Sequence, residues 1–270
     1  TDMNVHRTTF TRGLARGALA AILALSLLSA LSVPDQAQAQ AKKLIPKADV
    51  RLLPGADRFA VIDPLPPSGN VGIELGVAAG SFSTRMVQSG RFARFVGVDV
   101  YGDGHNTAEY KKALQAVGLW SEYRLLRMTF DQALDLFPDG SFDFVYCDGY
   151  AHTGEEGGRT LADWYGKLKP GGGMAGDDYD PDNWPLVVWA AHHAANQLGV
   201  PLFVTEKVSD DAYNRFPSWY FIRPLNGPDR LEVEDSLAAI AEAEKARVAE
   251  VRRQKRLERR AVKGSPASGS

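Results

Sequence analysis

Apolar runs alternate with helix-like stretches through the middle of the chain, and this alternation constrains the fold more than any other feature. VGIELGV (71–77), FARFVGVDV (92–100), EYRLLRMTF (122–130) and FDFVYCDG (142–149) are the first four runs. The fourth is nearly continuous in apolar residues, as expected of a strand covered on both faces. GGGMAGDD is a fifth strand candidate despite its glycines, and PLFVTEKV (201–208) and SWYFIRP (218–224) supply the last two. Between them lie SFSTRMVQSG, NTAEYKKALQAVG, DQALDLF, EEGGRTLADWYGKL and PLVVWAAHHAANQLG, which read as helices. The pattern implies an α/β fold: a doubly wound, seven-stranded sheet, mostly parallel, with one antiparallel edge strand from a final hairpin. Ligands in such sheets bind beyond the carboxyl ends of the strands.

The ends of the chain differ from the middle. Arg7, Arg12 and Arg16 precede an apolar stretch from Gly17 to Val33, followed by a proline and AQA repeats. That is the layout of an export signal or membrane anchor, with a cut expected after Ala39 or Ala41. A frayed amphipathic extension is the alternative. Residues 1–45 are therefore read as leader and linker, 46–226 as the folded domain, 227–263 as a charged helix and 264–270 as a disordered tail. Seven basic residues and one acid lie between Arg252 and Lys263, so this helix either touches an anionic surface or is simply solvated. The net charge of −2 gives no whole-protein bias toward nucleic acid. A single cysteine, Cys147, excludes an internal disulfide and reads as a buried small hydrophobe.

The strand ends carry the chemistry. The first closes as E-L-G-V-A-A-G-S, residues 74–81. Gly76 and Gly80 permit a tight turn and close approach to a ligand, with a helix starting near Ser81. The second closes on Asp99, nineteen residues after Gly80. A carboxylate there suits ribose hydroxyls, which points to a nucleoside ligand. G-x-G-x-x-G is missing, Val77 and Ala78 crowd the pyrophosphate position, and Glu74 adds negative charge. A nicotinamide oxidoreductase is therefore disfavoured, and a ligand carrying an ammonium and a sulfonium fits better.

IELGVAAGSFS, FVGVDVY, FDFVYCDGYAHT and LADWYGKLKPGGGMAGDDYD resemble the successive motifs of class I S-adenosylmethionine-dependent methyltransferases, over about residues 70–224. The D-G-x-H-like segment and G-G-x-x-x-x-D-D-Y look most like the small-molecule O-methyltransferases, the macrocin and sugar type, and more distantly the catechol type. The resemblance implies a Rossmann-like sheet. It places Glu74, Gly76 and Gly80 on the methionine half of the cofactor and Asp99 on its ribose, with Ala78 and Ser81 also in the cofactor loop. The Met128–Asp131 segment, with Asp131, is set along the adenine. It also implies a divalent ion, Mg²⁺, at Asp148, Asp177 and Asp178.

That last implication has independent physical sense. Hard cations take oxygen ligands and keep several waters, so two or three carboxylates at adjoining strand tips suffice. The ion would relieve the repulsion between Asp177 and Asp178 and favour the alkoxide of a substrate hydroxyl. The alternative is that both are solvated turn residues, continued by Asp180 and Asp182. Asp148 could also sit near the transferring methyl without an ion. His152, four residues past Asp148, is the expected general base; catechol-type relatives carry a lysine where this chain has Ala151. His192 and His193 read as packing or surface residues. Tyr150, Tyr179, Trp184 and Trp189 either wall an acceptor pocket or cap the sheet. The expectation is O-methylation of a small hydroxylated acceptor, sugar or phenolic. Its rival is a binding module that has lost catalysis and is exported or membrane-tethered. Oligomerisation stays open.

Overall fold

In the computed structural model residues 39–102, 106–206 and 215–264 are described, with side chains up to Leu257. The leader residues 1–38 and the tail 265–270 lie outside the described residues. Eight strands form one sheet: β1 (Val50–Leu53), β2 (Asn70–Leu75), β3 (Phe92–Asp99), β4 (Tyr123–Arg127), β5 (Phe142–Cys147), β6 (Leu168–Gly176), β7 (Leu202–Thr205) and β8 (Trp219–Ile222). Their order is β1-β7-β8-β6-β5-β2-β3-β4. All seven expected strands are present. The eighth, β1, pairs in parallel with β7 at the edge; it is only four residues long, with Arg51 and Leu52 exposed, so no sustained apolar run announces it. β8 is antiparallel to both β6 and β7 and lies between them, so the antiparallel strand is inside the sheet rather than at its edge.

Helices cover both faces. α1 (Ser81–Gln88), a 3-10 turn at Arg58–Ile62 and α2 (Thr107–Ala113), which runs on into a π-helical turn at Leu114–Gly118, pack on one. There Val61, Phe82, Met86 and Val117 meet Phe95, Tyr123, Phe144, Tyr146 and Tyr220. α3 (Phe130–Leu134), α4 (Arg159–Tyr165) and α5 (Pro185–Leu198) cover the other, over Ile73, Leu75, Val96, Val98, Val145 and Met174. Alternate residues of each central strand thus enter different cores, which is why those strands are apolar throughout. β6 forms despite its glycines because burial outweighs propensity. At Gly176 the Trp219 ring fills the space where a Cβ would stand.

α6 (Asp235–Gly264) docks through Leu237 and Ala241 against the 154–157 segment and α5, and then leaves the core, exposing Val251 and Leu257. The packed chain begins before residue 45. Residues 39–44 are helical, and Ala41 is buried in the α5-side core. Three bonds strap the following stretch to α5. Trp189 Nε1 donates to the Leu44 carbonyl, His192 Nδ1 to that of Pro46 at 2.6 Å, and Asn196 Nδ2 to that of Lys47 at 2.8 Å. Among the described residues no helix is long and apolar enough to cross a membrane.

Candidate active site at the strand tips

The site begins where β2 and β5 touch. Gly76 has φ +101°, and a Cβ there would stand 2.1 Å from the Asp148 carbonyl oxygen. Only glycine permits this approach. The Asp148 N–H donates to the Leu75 carbonyl at 2.8 Å, and the Asp177 N–H to the Cys147 carbonyl at 3.1 Å. The tips of β2, β5 and β6 are thereby knitted side by side, and Asp148 and Asp177 become neighbours. Gly80, at φ +83°, caps α1 and closes the loop.

Two cavities open above this seam, and both are lined by Gly76 and Asp148. The larger, about 320 Å³, is lined by Glu74, Val77, Ala78, Ser81, Phe82, Asp177, Asp178 and Phe216, with Arg58 and Arg215. Burial holds the Glu74 carboxyl well above the usual range; Ser83 Oγ donates to it and also contacts the Tyr123 hydroxyl at 2.8 Å. Burial, then the neighbouring Asp148 charge, pushes Asp177 up to about 7; burial with Asp148 and Asp177 pushes Asp178 up to about 8.

The smaller cavity, about 180 Å³, is lined by Asp99, Val100, Met128, Thr129, Phe130, Gly149, Tyr150, His152 and Arg252. Asp99 ties it to the glycine loop. One carboxylate oxygen accepts the N–H groups of Val77 (3.0 Å) and Ala78 (2.9 Å), and the other accepts that of Tyr101 (2.9 Å). Three charge-assisted bonds fix the loop and leave about one acceptor site of four for a ligand.

The site residues read from the sequence fall into three groups. Glu74, Gly76, Ala78, Ser81, Asp148, Asp177 and Asp178 converge on the larger cavity, and Gly80 shapes its loop. Asp99 and His152 line the smaller one. Asp131 lines neither; it lies exposed in the first turn of α3, leaving Met128, Thr129 and Phe130 as the wall. His152 is turned away from the carboxylate pair. Tyr150 enters the left-handed region at φ +60° and starts a 3-10 turn that carries the imidazole to the Asp99 side. Burial first, and then Arg252, lowers its pKa. Asp180 is a turn residue, accepting the N–H groups of Asp182 and Asn183. Of the four aromatics only Tyr150 lines either cavity. Tyr179 donates to His192 Nε2 at 2.7 Å, so His192 is a packing residue that orders the strap. Cys147 is buried, as expected.

Sequence reasoning missed Arg58. It lies in the 3-10 turn, 3% exposed, and donates to Asp148 Oδ2 at 2.8 Å and to the Tyr146 hydroxyl at 3.0 Å, with Asp177 Oδ2 at 3.4 Å. Burial works against its charge, but Tyr146, Asp148 and Asp177 outweigh burial and hold the guanidinium well above its usual range. A lone arginine followed by Phe-Ala-Val-Ile was the available signal. Its charge stands beside the carboxylates expected to hold Mg²⁺. Asp177 Oδ1 accepts from Ser218 Oγ at 2.8 Å while its other oxygen and Asp148 Oδ2 face Arg58. Among the described residues no three His, Cys, Asp or Glu side chains are grouped to hold a metal ion. The donor set does not fit the ion.

The chain thus carries a doubly wound sheet, a glycine loop after β2 and an acid at the tip of β3. Residues 71–179 match the family model described as a methyltransferase domain. No curated protein sequence matches the chain. Three solved structures overlap it in part. An S-adenosylmethionine-dependent methyltransferase from Mesorhizobium loti is 24% identical over 46% of this chain, with a TM-score of 0.36. The overlap spans about half of that protein's length, 54%. Cofactor-bound Rv0187 from MTB is 14% identical over 76% of this chain and 96% of its own, with a TM-score of 0.48. A SAM-dependent methyltransferase from Methanosarcina mazei is 13% identical over 63% of this chain and 100% of its own, with a TM-score of 0.46.

Proposed function

We propose that the paired cavities bind S-adenosylmethionine and that the chain catalyses methyl transfer to the hydroxyl oxygen of a small acceptor. The observation that carries this reading is the meeting of the two cavities at Gly76 and Asp148, one lined by Asp99, the other by Glu74 and the Asp148–Asp177–Asp178 carboxylates. A long ligand with a neutral nucleoside end and a cationic end matches that division. The adenosyl part belongs against Val100, Met128, Thr129 and Phe130, and the methionine part along Glu74, Gly76, Val77 and Ala78. No glycine-rich pyrophosphate cradle competes with this assignment.

When bound, S-adenosylmethionine supplies a methyl group on a good leaving group. The protein must bring an acceptor oxygen in line with it and take up the proton that oxygen loses. Asp177 and Asp178 are the proton acceptors at the larger cavity, and Phe82 and Phe216 give an acceptor ring apolar walls. The transfer forms a carbon–oxygen bond, breaks the sulfur–carbon bond, leaves the thioether and passes the hydroxyl proton to a carboxylate. An acceptor of sugar or phenol size suits a cavity of about 320 Å³.

A second reading, a binding module without turnover, is favoured by the Arg7–Val33 leader, which suits export away from cytosolic cofactor. Calorimetry with S-adenosylmethionine on the wild type, Glu74→Ala and Asp99→Ala tests the shared premise. Equal binding by all three removes it. Labelled methyl transfer to a panel of sugars and phenols then separates enzyme from module.

A further inference from the structure

We infer that Arg58 is the fixed counter-cation of this cleft, standing where a divalent ion would otherwise neutralise Asp148 and Asp177, so that methyl transfer here runs without a metal. The inference rests on the reading of the cleft as a methyl-transfer site, and it concerns how that site balances its charge.

Three clustered carboxylates need a positive partner, and the chain provides one in the Arg58 side chain. Arg58 sits in a turn whose N-cap, Asp57, accepts the Phe59 N–H at 2.9 Å, and whose Val61 and Ile62 are anchored in the core. Its guanidinium lies over the Phe82 ring at 5.0 Å and the Tyr146 ring at 5.6 Å, and these two rings stack on each other at 3.9 Å. The guanidinium is therefore seated against the stacked aromatic pair and bonded to Asp148, Asp177 and the Tyr146 hydroxyl. A guanidinium does not lose its proton and carries its donors in a rigid fork, so its charge stays in place at any working pH.

The same contacts occupy oxygens that an ion would need. Asp177 gives one oxygen to Ser218 and turns the other to Arg58, and Asp148 Oδ2 is bonded to Arg58. Of the three carboxylates that line the cavity, Asp178 is the one outside these contacts, so a divalent ion would have to bind beside the Arg58 charge with few protein oxygens open to it. Arg58 is thus a positioning residue: it sets Asp148 and Asp177 toward the acceptor and supplies the charge an ion would bring.

The test uses the full chain and Mn²⁺ as a spin probe. Wild-type protein is expected to leave Mn²⁺ free in paramagnetic resonance titrations, and methyl transfer is expected to survive EDTA unchanged. Arg58→Gln, verified as folded by circular dichroism, is expected to gain a Mn²⁺ site, and adding Asp177→Asn is expected to weaken that site about tenfold or more. Arg58→Lys is expected to exclude the ion as the wild type does. Stoichiometric Mn²⁺ on the wild type that Asp177→Asn abolishes, or loss of activity in EDTA restored by Mg²⁺, overturns the inference. So does a folded Arg58→Gln that gains no ion. Should Arg58→Gln fail to fold, the wild-type arms decide. A parallel titration with S-adenosylmethionine keeps the two claims apart: lack of cofactor binding defeats the methyl-transfer reading, whereas the Mn²⁺ result judges Arg58.

Discussion

Gly76→Ala is expected to damage both stability and cofactor binding, and Gly90→Ala supplies the control that isolates the cause. Both glycines lie in the left-handed region, at φ +101° and +70°. Around Gly90 an added Cβ meets nothing within 4 Å; at Gly76 it would stand 2.1 Å from the Asp148 carbonyl oxygen and 2.6 Å from its carbon. Backbone strain alone costs about 1–2 kcal/mol. Forcing a methyl into packed backbone adds about 1–3 kcal/mol. Gly76→Ala should therefore lose about 3 kcal/mol and Gly90→Ala about 1.3 kcal/mol. At about 3 °C per kcal/mol for a domain this size, melting should fall by about 9 °C and about 4 °C. Relief of the clash must push the β5 tip away, moving Asp148 off Arg58. Calorimetry should then show weaker S-adenosylmethionine binding in Gly76→Ala and unchanged binding in Gly90→Ala. Equal melting losses with intact binding in both would refute the claim that close contact of the two tips builds the site.

Glu74→Gln should stabilise the fold progressively as pH rises. Burial raises the folded-state pKa above 4.5, so between the two values the folded chain keeps a proton the unfolded chain has released. Wild-type stability then falls with rising pH by up to about 1.4 kcal/mol per unit, a loss glutamine does not share. Melting curves from pH 4.5 upward should show the gap widen; a constant gap refutes it. Asp99→Asn turns an amide NH₂ toward at least one loop N–H, forfeiting one or more charge-assisted bonds worth about 1.5–3 kcal/mol each. Binding of S-adenosylmethionine should weaken about tenfold or more, and unchanged affinity would show the loop is held otherwise. Asp131→Ala, by contrast, should leave calorimetric cofactor affinity unaltered, because its side chain lines neither cavity.

The architecture was legible because each central strand is apolar on both faces and each helix starts after a turn signal. β1 was not, since VRLL is only four residues long, is interrupted by Arg51 and leaves two of its residues exposed. The glycine loop, Asp99 and the acids after β5 and β6 were legible as strand-tip residues, which topology alone brings together. Three features were not. Arg58 arrives from a 3-10 turn outside the alternating pattern, so no strand tip announced it. His152 swings to the other cavity because one left-handed tyrosine redirects its turn, and Tyr150 gives no sign of that conformation in sequence. Asp131 was placed by segment, and a single helical turn faced it outward.

Lys42 pairs with Asp182, four residues beyond Asp178, while the stretch from Leu44 to Lys47 descends along α5 before β1 rises back toward Arg58. Residues 39–47 are thereby fastened beside the loop that carries the carboxylates. The acids at the β6 tip are therefore braced from outside the sheet by a segment that the alternating strand and helix pattern does not include.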